Sequence, residues 1–153
     1  MVFISLKLFL TILAIPTILF IYLYPRQQFD VSGKHILITG GSSGIGLALA
    51  KLYLRRGCHV TLVGRNKSKL QAAKTSLAEY KKYPYQKILA LSVDVSHSEE
   101  EVIKEFSSAV KVLGPVQVLV NCAGISIAGD FGSLPSKEFE NMLKVNRPRD
   151  LLH

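Results

Sequence analysis

Four short apolar runs, each followed by a stretch with helical periodicity, constrain the fold of this 153-residue chain most strongly. The runs predict strands at 34–39, 59–63, 87–93 and 116–120, and the intervening stretches predict helices at 44–56, about 66–82, 98–113 and about 135–146. Each strand is apolar throughout, which is typical of a parallel sheet covered by helices on both faces. The alternation therefore predicts the N-terminal part of a doubly wound α/β fold. In the dinucleotide-binding form of this fold, which the glycine-rich turn described below indicates, the strand order begins 3-2-1-4. At the start of the helix from Ser98, Glu101 stands three residues on and predicts a capping box.

The N-terminus is apolar in a different way. Leu8 to Tyr24 contains no charge, and with residues 2–6 it is long enough to cross a bilayer, because Lys7 can extend its amine to the surface. A cleaved signal peptide would need a small-residue cleavage site, and an interfacial helix would need a polar face; neither is present. The sequence predicts a transmembrane anchor at 2–24 and a linker at 25–33. Basic residues on both sides leave its orientation undecided.

The overall charge and the cysteines restrict the partners of the chain. A formal net charge of +8 suits an anionic cofactor or anionic lipid headgroups, and it equally suits lysine-rich helix faces in water. No nucleic-acid partner is expected. Two cysteines, Cys58 and Cys122, are too few for a disulfide framework and indicate a reducing compartment. The scattered histidines predict no metal site.

A glycine-rich turn follows the first strand and opens the next helix. Gly40, Gly44 and Gly46 permit a sharp turn, a close approach of phosphate to the backbone, and close packing of helix on strand. The free N–H groups of the helix start bind anions, and Ser42 and Ser43 add hydroxyl donors. Together with Ile45, the turn at 40–46 is the predicted pyrophosphate site of a Rossmann fold.

The end of the second strand indicates which dinucleotide is bound. Sites that prefer NAD place a carboxylate here for the ribose 2′-hydroxyl, whereas this chain has Gly64 followed by Arg65. A cation in this place fits a 2′-phosphate and hence NADPH. Lys69, four residues on, is predicted to face the same phosphate. The alternative for both residues is ordinary surface charge.

The motifs TGGSSGIG (39–46) and NCAG (121–124) resemble those of the short-chain dehydrogenase/reductase family. The segments TLVGRN (61–66), SVDVS (92–96) and LGPVQVLVNCAG (113–124) are most similar to the membrane-anchored 3-ketodihydrosphingosine reductases, over roughly 34–146. The resemblance implies NADPH-dependent reduction of 3-ketosphinganine, a long-chain sphingoid ketone, in sphingolipid synthesis. It also implies a single-pass protein of the endoplasmic reticulum membrane with its domain facing the cytosol, and it leaves room for a homo-oligomer.

The resemblance also assigns roles to residues after the third and fourth strands. Asp94 is the expected acceptor for the adenine amino group, with the Val95 amide beside it. Asn121 and Gly124 are expected to steady the sheet and line the ribose. Cys122, between them, is expected to serve packing rather than chemistry.

The catalytic set implied by the resemblance is a Ser, a Tyr-x3-Lys pair on a helix and an Asn, for which Asn146 stands in place. Tyr83 and Lys87 have this spacing, but Pro84 disfavours a helix and the pair enters a strand at its N-terminal end. We interpret that pair as fortuitous.

The tail at 147–153 departs from the family, and the expectation is a truncated form without the Ser, Tyr and Lys. The alternatives are a membrane-tethered NADPH-binding half-domain without catalysis, or a reductase of another lipid such as a steroid or retinoid.

Overall fold

The first strand of the sheet forms where five successive residues are buried on both faces. In the computed structural model, β1 spans His35–Thr39 and every one of its side chains is buried. The structure describes residues 6–23, 29–130, 132 and 134–146. The predicted tail at 147–153 lies outside the described residues, as do parts of the predicted anchor and linker. The chain divides into two units, 1–30 and 31–153.

The second unit alternates strands and helices as the sequence predicts. The remaining strands are β2 (His59–Gly64), β3 (Ile88–Ser92) and β4 (Val118–Asn121). The helices are α2 (Gly44–Arg55), α3 (Lys67–Leu77), α4 (Glu99–Leu113) and α5 (Ser136–Asn146), and a short 3₁₀ turn at Ala78–Tyr80 follows α3. The capping box that opens α4 is confirmed, because Ser98 and Glu101 exchange side-chain and backbone hydrogen bonds.

The four strands form one parallel sheet in the order β3-β2-β1-β4, which confirms the predicted topology. In a parallel sheet all carboxyl ends meet at one edge, where open α/β folds place their ligands. Here that edge carries the glycine turn after β1 and the segments that follow β2, β3 and β4.

Alternate residues of β1 supply two separate cores, one on each face of the sheet. Ile36 and Ile38 pack with residues of α2 and α3, including Leu54 and Leu70. Leu37 faces the other way and joins the cluster that contains Phe106 of α4. Strand side chains point alternately to opposite faces, so both faces of β1 are dry.

The first unit contains α1, an 18-residue helix at Leu6–Leu23 that includes Pro16. Its described side chains, from Ile12 to Phe20 and at Tyr22 and Leu23, are exposed. Among the described residues, no helix meets the length and hydropathy required of a membrane span. The anchor at 2–24 therefore stays a prediction.

A buried histidine joins three segments at the N-terminal edge of the sheet. His35 Nδ1 lies 2.9 Å from the Gly114 carbonyl oxygen, and Nε2 lies 2.8 Å from the Thr61 hydroxyl. A carbonyl only accepts, so Nδ1 carries the proton and Nε2 accepts from Thr61. The backbone N–H of His35 donates to the Gln117 side chain at 2.6 Å. The imidazole thereby ties β1 to β2 and to the end of α4.

Replacing Thr61 by Val removes the only donor in this arrangement that reaches His35 Nε2, while nearly preserving the side-chain shape. We expect the free energy of unfolding of the full chain to fall by about 1–3 kcal/mol, because a buried acceptor loses its partner. The matched control is Thr75→Val, on the exposed face of α3. Urea unfolding that shows equal losses in the two variants would contradict the role of the imidazole.

Stability should also depend on pH through two histidines. Burial lowers the pKa of His35 from its ordinary value of 6.5; burial and then the charge of Lys87 lower the pKa of His59. The unfolded chain takes up protons near pH 6.5 before the folded chain does, so the free energy of unfolding falls as the pH drops below about 6.5. Urea unfolding at pH 7.5, 6.5 and 5.5 measures this. A stability that stays constant or rises toward pH 5.5 would contradict the assignment.

Candidate functional site

A cleft of about 360 Å³ opens at the carboxyl edge of the sheet. Ten of the predicted site residues line it together: Gly40, Ser42, Ser43, Gly44, Ile45, Gly46, Arg65, Asp94, Val95 and Gly124. They come from four separate segments of the chain, after β1, β2, β3 and β4. The fold therefore brings the sequence motifs to one place.

The glycine turn is held by backbone contacts that leave no room for a side chain. Gly40 has a φ of +67°, and a Cβ there would lie 2.8 Å from the Cys122 carbonyl oxygen. A Cβ on Gly46 would lie 2.5 Å from the Gly40 carbonyl oxygen. Gly46 thus packs against the turn itself, at Gly40 and Gly41, rather than against the strand as the sequence suggested. These contacts set the direction in which α2 leaves β1.

Gly44 differs from its neighbours because the space around it is open. Its φ is +54°, and no atom lies within 4 Å of where its Cβ would be. α2 begins at this residue, has no acidic residue in its first turn, and receives no cap from the Ser43 side chain. The first N–H groups of a helix lack intrahelical partners and favour anions. Open space beside them is what a phosphate group requires.

Thr39, at the end of β1, was missing from the predicted site. Its buried hydroxyl accepts hydrogen bonds from the backbone N–H groups of Cys122 and Ala123, both at 3.1 Å. It thereby fixes the segment after β4 beside the glycine turn. The available signal was a polar residue at the carboxyl end of the apolar run at 36–38.

Two opposite charges line the cleft. Burial raises the pKa of Asp94, but the hydrogen bonds from Ser96 and the charges of Arg65 and His97 outweigh it, so the pKa lies below its ordinary value of 3.8. The backbone N–H of Ser96 donates to the Asp94 carboxylate at 2.9 Å. Asp94 is therefore an ionised acceptor at neutral pH. Arg65 is exposed and directly follows β2. At this end of β2, no carboxylate is among the described residues that line the cleft.

Three predicted residues do not line the cleft. Lys69 is exposed on the first turn of α3, where its backbone N–H donates to the cap residue Asn66. Asn121 ends β4, opposite Thr39. The side-chain amide of Asn146 makes two hydrogen bonds of 2.9 Å with the backbone of Ile125: its oxygen accepts from the N–H, and its nitrogen donates to the carbonyl oxygen. Asn146 therefore ties the end of α5 to the segment that follows β4.

Several lining residues were also not predicted. These residues are mostly apolar: Val63, Gly64, Val93, Cys122, Ala123, Ile125 and Val145. Five of them lie within the motifs TLVGRN, SVDVS and NCAG, whereas Ile125 and Val145 lie outside every motif and resemble ordinary core residues. Cys122 is half-buried and is a free thiol.

Tyr83 and Lys87 lie at the opposite edge of the sheet, before β3 begins at Ile88. The ring of Tyr83 packs against Gly57, which precedes β2. The backbone N–H of Lys87 donates to the His59 ring. This placement agrees with the interpretation that their spacing is fortuitous. Among the described residues, no group of three or more His, Cys, Asp or Glu side chains could hold a metal ion.

Residues 34–147 match the family model described as short chain dehydrogenase. The chain belongs to the short-chain dehydrogenase family. Over 120 residues it is 41% identical to the 3-ketodihydrosphingosine reductase of Bos taurus, an alignment that covers 78% of this chain and 36% of that protein. It is 38% identical, over the same shares, to the 3-dehydrosphinganine reductase of Danio rerio. The chain thus spans about a third of the length of these curated relatives.

Solved structures of this family share the fold. An NAD⁺-bound xylitol dehydrogenase superposes with a TM-score of 0.69 at 31% identity, covering 78% of this chain and 44% of that chain. The L-sorbose reductase of Gluconobacter frateurii, complexed with NADPH and L-sorbose, superposes with a TM-score of 0.67 at 32% identity, covering 76% and 44%. The cleft lies at the carboxyl edge of the sheet, where open α/β folds place their ligands.

The Thr39 hydroxyl gives a direct test of how this short-chain dehydrogenase holds its cleft. In Thr39→Val, two backbone N–H groups lose their acceptor, and we expect the free energy of unfolding to fall by about 1–3 kcal/mol. Thr39→Ser keeps the hydroxyl and should recover most of that loss. Urea unfolding of the full chain measures both variants. If Thr39→Val and Thr39→Ser have the same free energy of unfolding, the hydroxyl does not hold the segment after β4.

Proposed function

We propose that this chain provides the NADPH-binding part of a reductase that acts on 3-ketosphinganine. The observation that carries the cofactor choice is the position of Arg65. It lines the cleft directly after β2, the place from which a carboxylate would hold an unmodified ribose. A guanidinium there pairs with a 2′-phosphate, which it can bind through two hydrogen bonds.

The other lining residues fit the remaining groups of the dinucleotide. The open space at Gly44 and the first N–H groups of α2 would receive the pyrophosphate. The ionised Asp94 would accept from the adenine amino group, with the Val95 amide beside it. Gly124 would line a ribose, and Asn121 would steady the end of β4. When bound, the cofactor supplies a hydride to a ketone.

The substrate is inferred from the relatives. Two of them are named for the reduction of 3-ketodihydrosphingosine or 3-dehydrosphinganine, and each alignment covers 78% of this chain. Sphingolipid synthesis is the corresponding role. The proposal for the substrate rests on sequence similarity to these relatives.

The location follows from the N-terminal segment. We place the chain in the endoplasmic reticulum membrane, anchored once through 2–24, with the second unit in the cytosol. The uncharged run from Leu8 to Tyr24 supports the anchor, and the small number of cysteines, Cys58 and Cys122, supports a reducing compartment. Membrane attachment would keep the chain on the membrane that contains its lipid substrate.

A second candidate function is cofactor binding without turnover. The observation in its favour is that no tyrosine or lysine is among the described residues that line the cleft. Protonation of the product alkoxide requires such a group within reach. Mixing the full chain with NADPH and 3-ketosphinganine distinguishes the two: oxidation of the cofactor supports the reductase, and binding without oxidation supports the second candidate.

Arg65→Ala tests the cofactor assignment by fluorescence titration with NADPH and NADH. We expect the Kd for NADPH to rise about 10–100-fold, since one charged hydrogen-bonding partner of a phosphate is lost. The Kd for NADH should change less than about twofold, within a few tenths of a kcal/mol.

Arg56→Ala, also exposed but at the end of α2 away from the cleft, is the matched control. It should leave both constants unchanged. If Arg65→Ala weakens NADPH and NADH equally, the arginine does not recognise the 2′-phosphate. If neither constant changes, Arg65 is ordinary surface charge.

A further inference from the structure

The edge of the sheet opposite the cleft carries a group of cations placed on tyrosine rings. Lys51 Nζ lies 4.8 Å and Arg55 Cζ 5.0 Å from the centre of the Tyr80 ring. Lys82 Nζ lies 5.1 Å from the centre of the Tyr83 ring, and Tyr83 stacks on Tyr85 at 5.3 Å with the planes 8° apart. These six residues are called the basic–aromatic face below.

The cations of this face are available to an external anion. Among the described residues, no carboxylate lies within 4 Å of the charged groups of Lys51, Arg55 or Lys82 in an ion pair. A groove of about 330 Å³ beside Tyr80 is lined by Arg55, Lys81, Lys82 and a single carboxylate, Glu79. Positive charge therefore exceeds negative charge around the groove, and the tyrosine rings hold the cations at the surface.

The face is rigidly built, because a buried glutamine fixes the turn that carries it. The Gln86 amide donates to the carbonyl oxygens of Leu54 at 2.8 Å and Cys58 at 2.7 Å, and its oxygen accepts from the Tyr83 N–H at 2.7 Å. Gln86 is almost fully buried, whereas Tyr85 is 58% exposed. The turn at 83–86 is thereby attached to the end of α2, with Tyr85 facing water.

The second unit begins at this same edge. The Gly33 N–H donates to the Gly57 carbonyl at 3.0 Å, and Gly57 in turn lies against Ser32 and the Tyr83 ring. The uncharged run ends at Tyr24, and an extended chain from there to Val31 spans at most about 25 Å. With the run inserted in a bilayer, this edge lies within reach of the lipid headgroups.

We infer that the basic–aromatic face rests on the bilayer surface and binds the phosphate groups of anionic phospholipids. Lysine and arginine near a membrane are attracted to anionic headgroups, and tyrosine favours the interfacial region because one end of its ring is polar. The cleft at the opposite edge would then open away from the surface. This inference rests on the membrane attachment proposed above.

The sequence offers a clean reporter, because the chain contains no tryptophan. Tyr85→Trp places one fluorophore on the exposed part of the face. Ile103→Trp, on the exposed surface of α4, is the control for the rest of the unit. The full chain is reconstituted into phosphatidylcholine vesicles with and without phosphatidylserine, and its attachment is measured by co-sedimentation.

We expect the chain to co-sediment with both vesicles, and the emission of Tyr85→Trp to shift to the blue only where phosphatidylserine is present. The shift should disappear in high salt, since exposed charges are screened. Neutralising Lys51, Arg55 and Lys82 to Gln should abolish it. Neutralising Lys67, Lys104 and Lys137, which are exposed elsewhere on the unit, should leave it unchanged.

Each other outcome contradicts a stated part of the account. No co-sedimentation with either vesicle overturns the membrane attachment and this inference with it. Attachment with the same emission in both vesicles, or the same shift at Ile103→Trp, overturns this inference alone. A blue shift produced equally by a single-stranded oligonucleotide in neutral vesicles would assign the face to nucleic acid.

Discussion

The cleft depends on close backbone packing in the turn between β1 and α2. A Cβ on Gly46 would lie 2.5 Å from the Gly40 carbonyl oxygen, and one on Gly40 would lie 2.8 Å from the Cys122 carbonyl oxygen. Glycine at both positions lets the first turn of α2 and the segment after β4 meet at one point. The Thr39 hydroxyl then accepts from two N–H groups of that segment. Without this approach, α2 would not begin beside the strand ends.

The two edges of the sheet present different chemistry as a consequence of the parallel topology. At the carboxyl edge, helix starts and strand ends combine Arg65 and Asp94 with the glycine turn. At the other edge, the end of α2 and the turn before β3 place Arg55, Lys82 and three tyrosines in water or at its margin. The positive charge of this chain, +8 in net, therefore serves different purposes at the two edges of the sheet. One edge suits a phosphorylated cofactor, and the other suits an anionic surface.

Features with a local cause could be predicted from the sequence. The strands follow apolar runs, and the capping box needs only Ser98 and Glu101. The order 3-2-1-4 follows from the alternation together with the glycine-rich turn, which is typical of the dinucleotide-binding fold. The predicted helix at 66–82 was too long: α3 ends at Leu77, a 3₁₀ turn follows, and Lys81 is extended. Pro84 and the hydrogen bonds of Gln86 favour a turn there over another turn of helix.

Features that depend on distant residues could not be predicted. The hydroxyl of Thr39 accepts from N–H groups that lie 83 and 84 positions further along the chain. The amide of Gln86 donates to carbonyl oxygens that lie 28 and 32 positions earlier. Neither residue type indicates such partners by itself. Lys69 is a different case: it stands four residues after Arg65 but does not line the cleft, so its contact with the phosphate stays a prediction. Spacing along a chain predicts a shared face only within a single element.

Backbone hydrogen exchange of the full chain, with and without NADPH, tests the central claim most directly. The account predicts slower exchange on binding in 41–47, 94–96 and 122–125, because these N–H groups lie in or beside the cleft. Exchange in 83–87, at the opposite edge, should not change. Protection confined to 83–87, or none anywhere at saturating NADPH, would contradict the assignment of the glycine turn as the cofactor site.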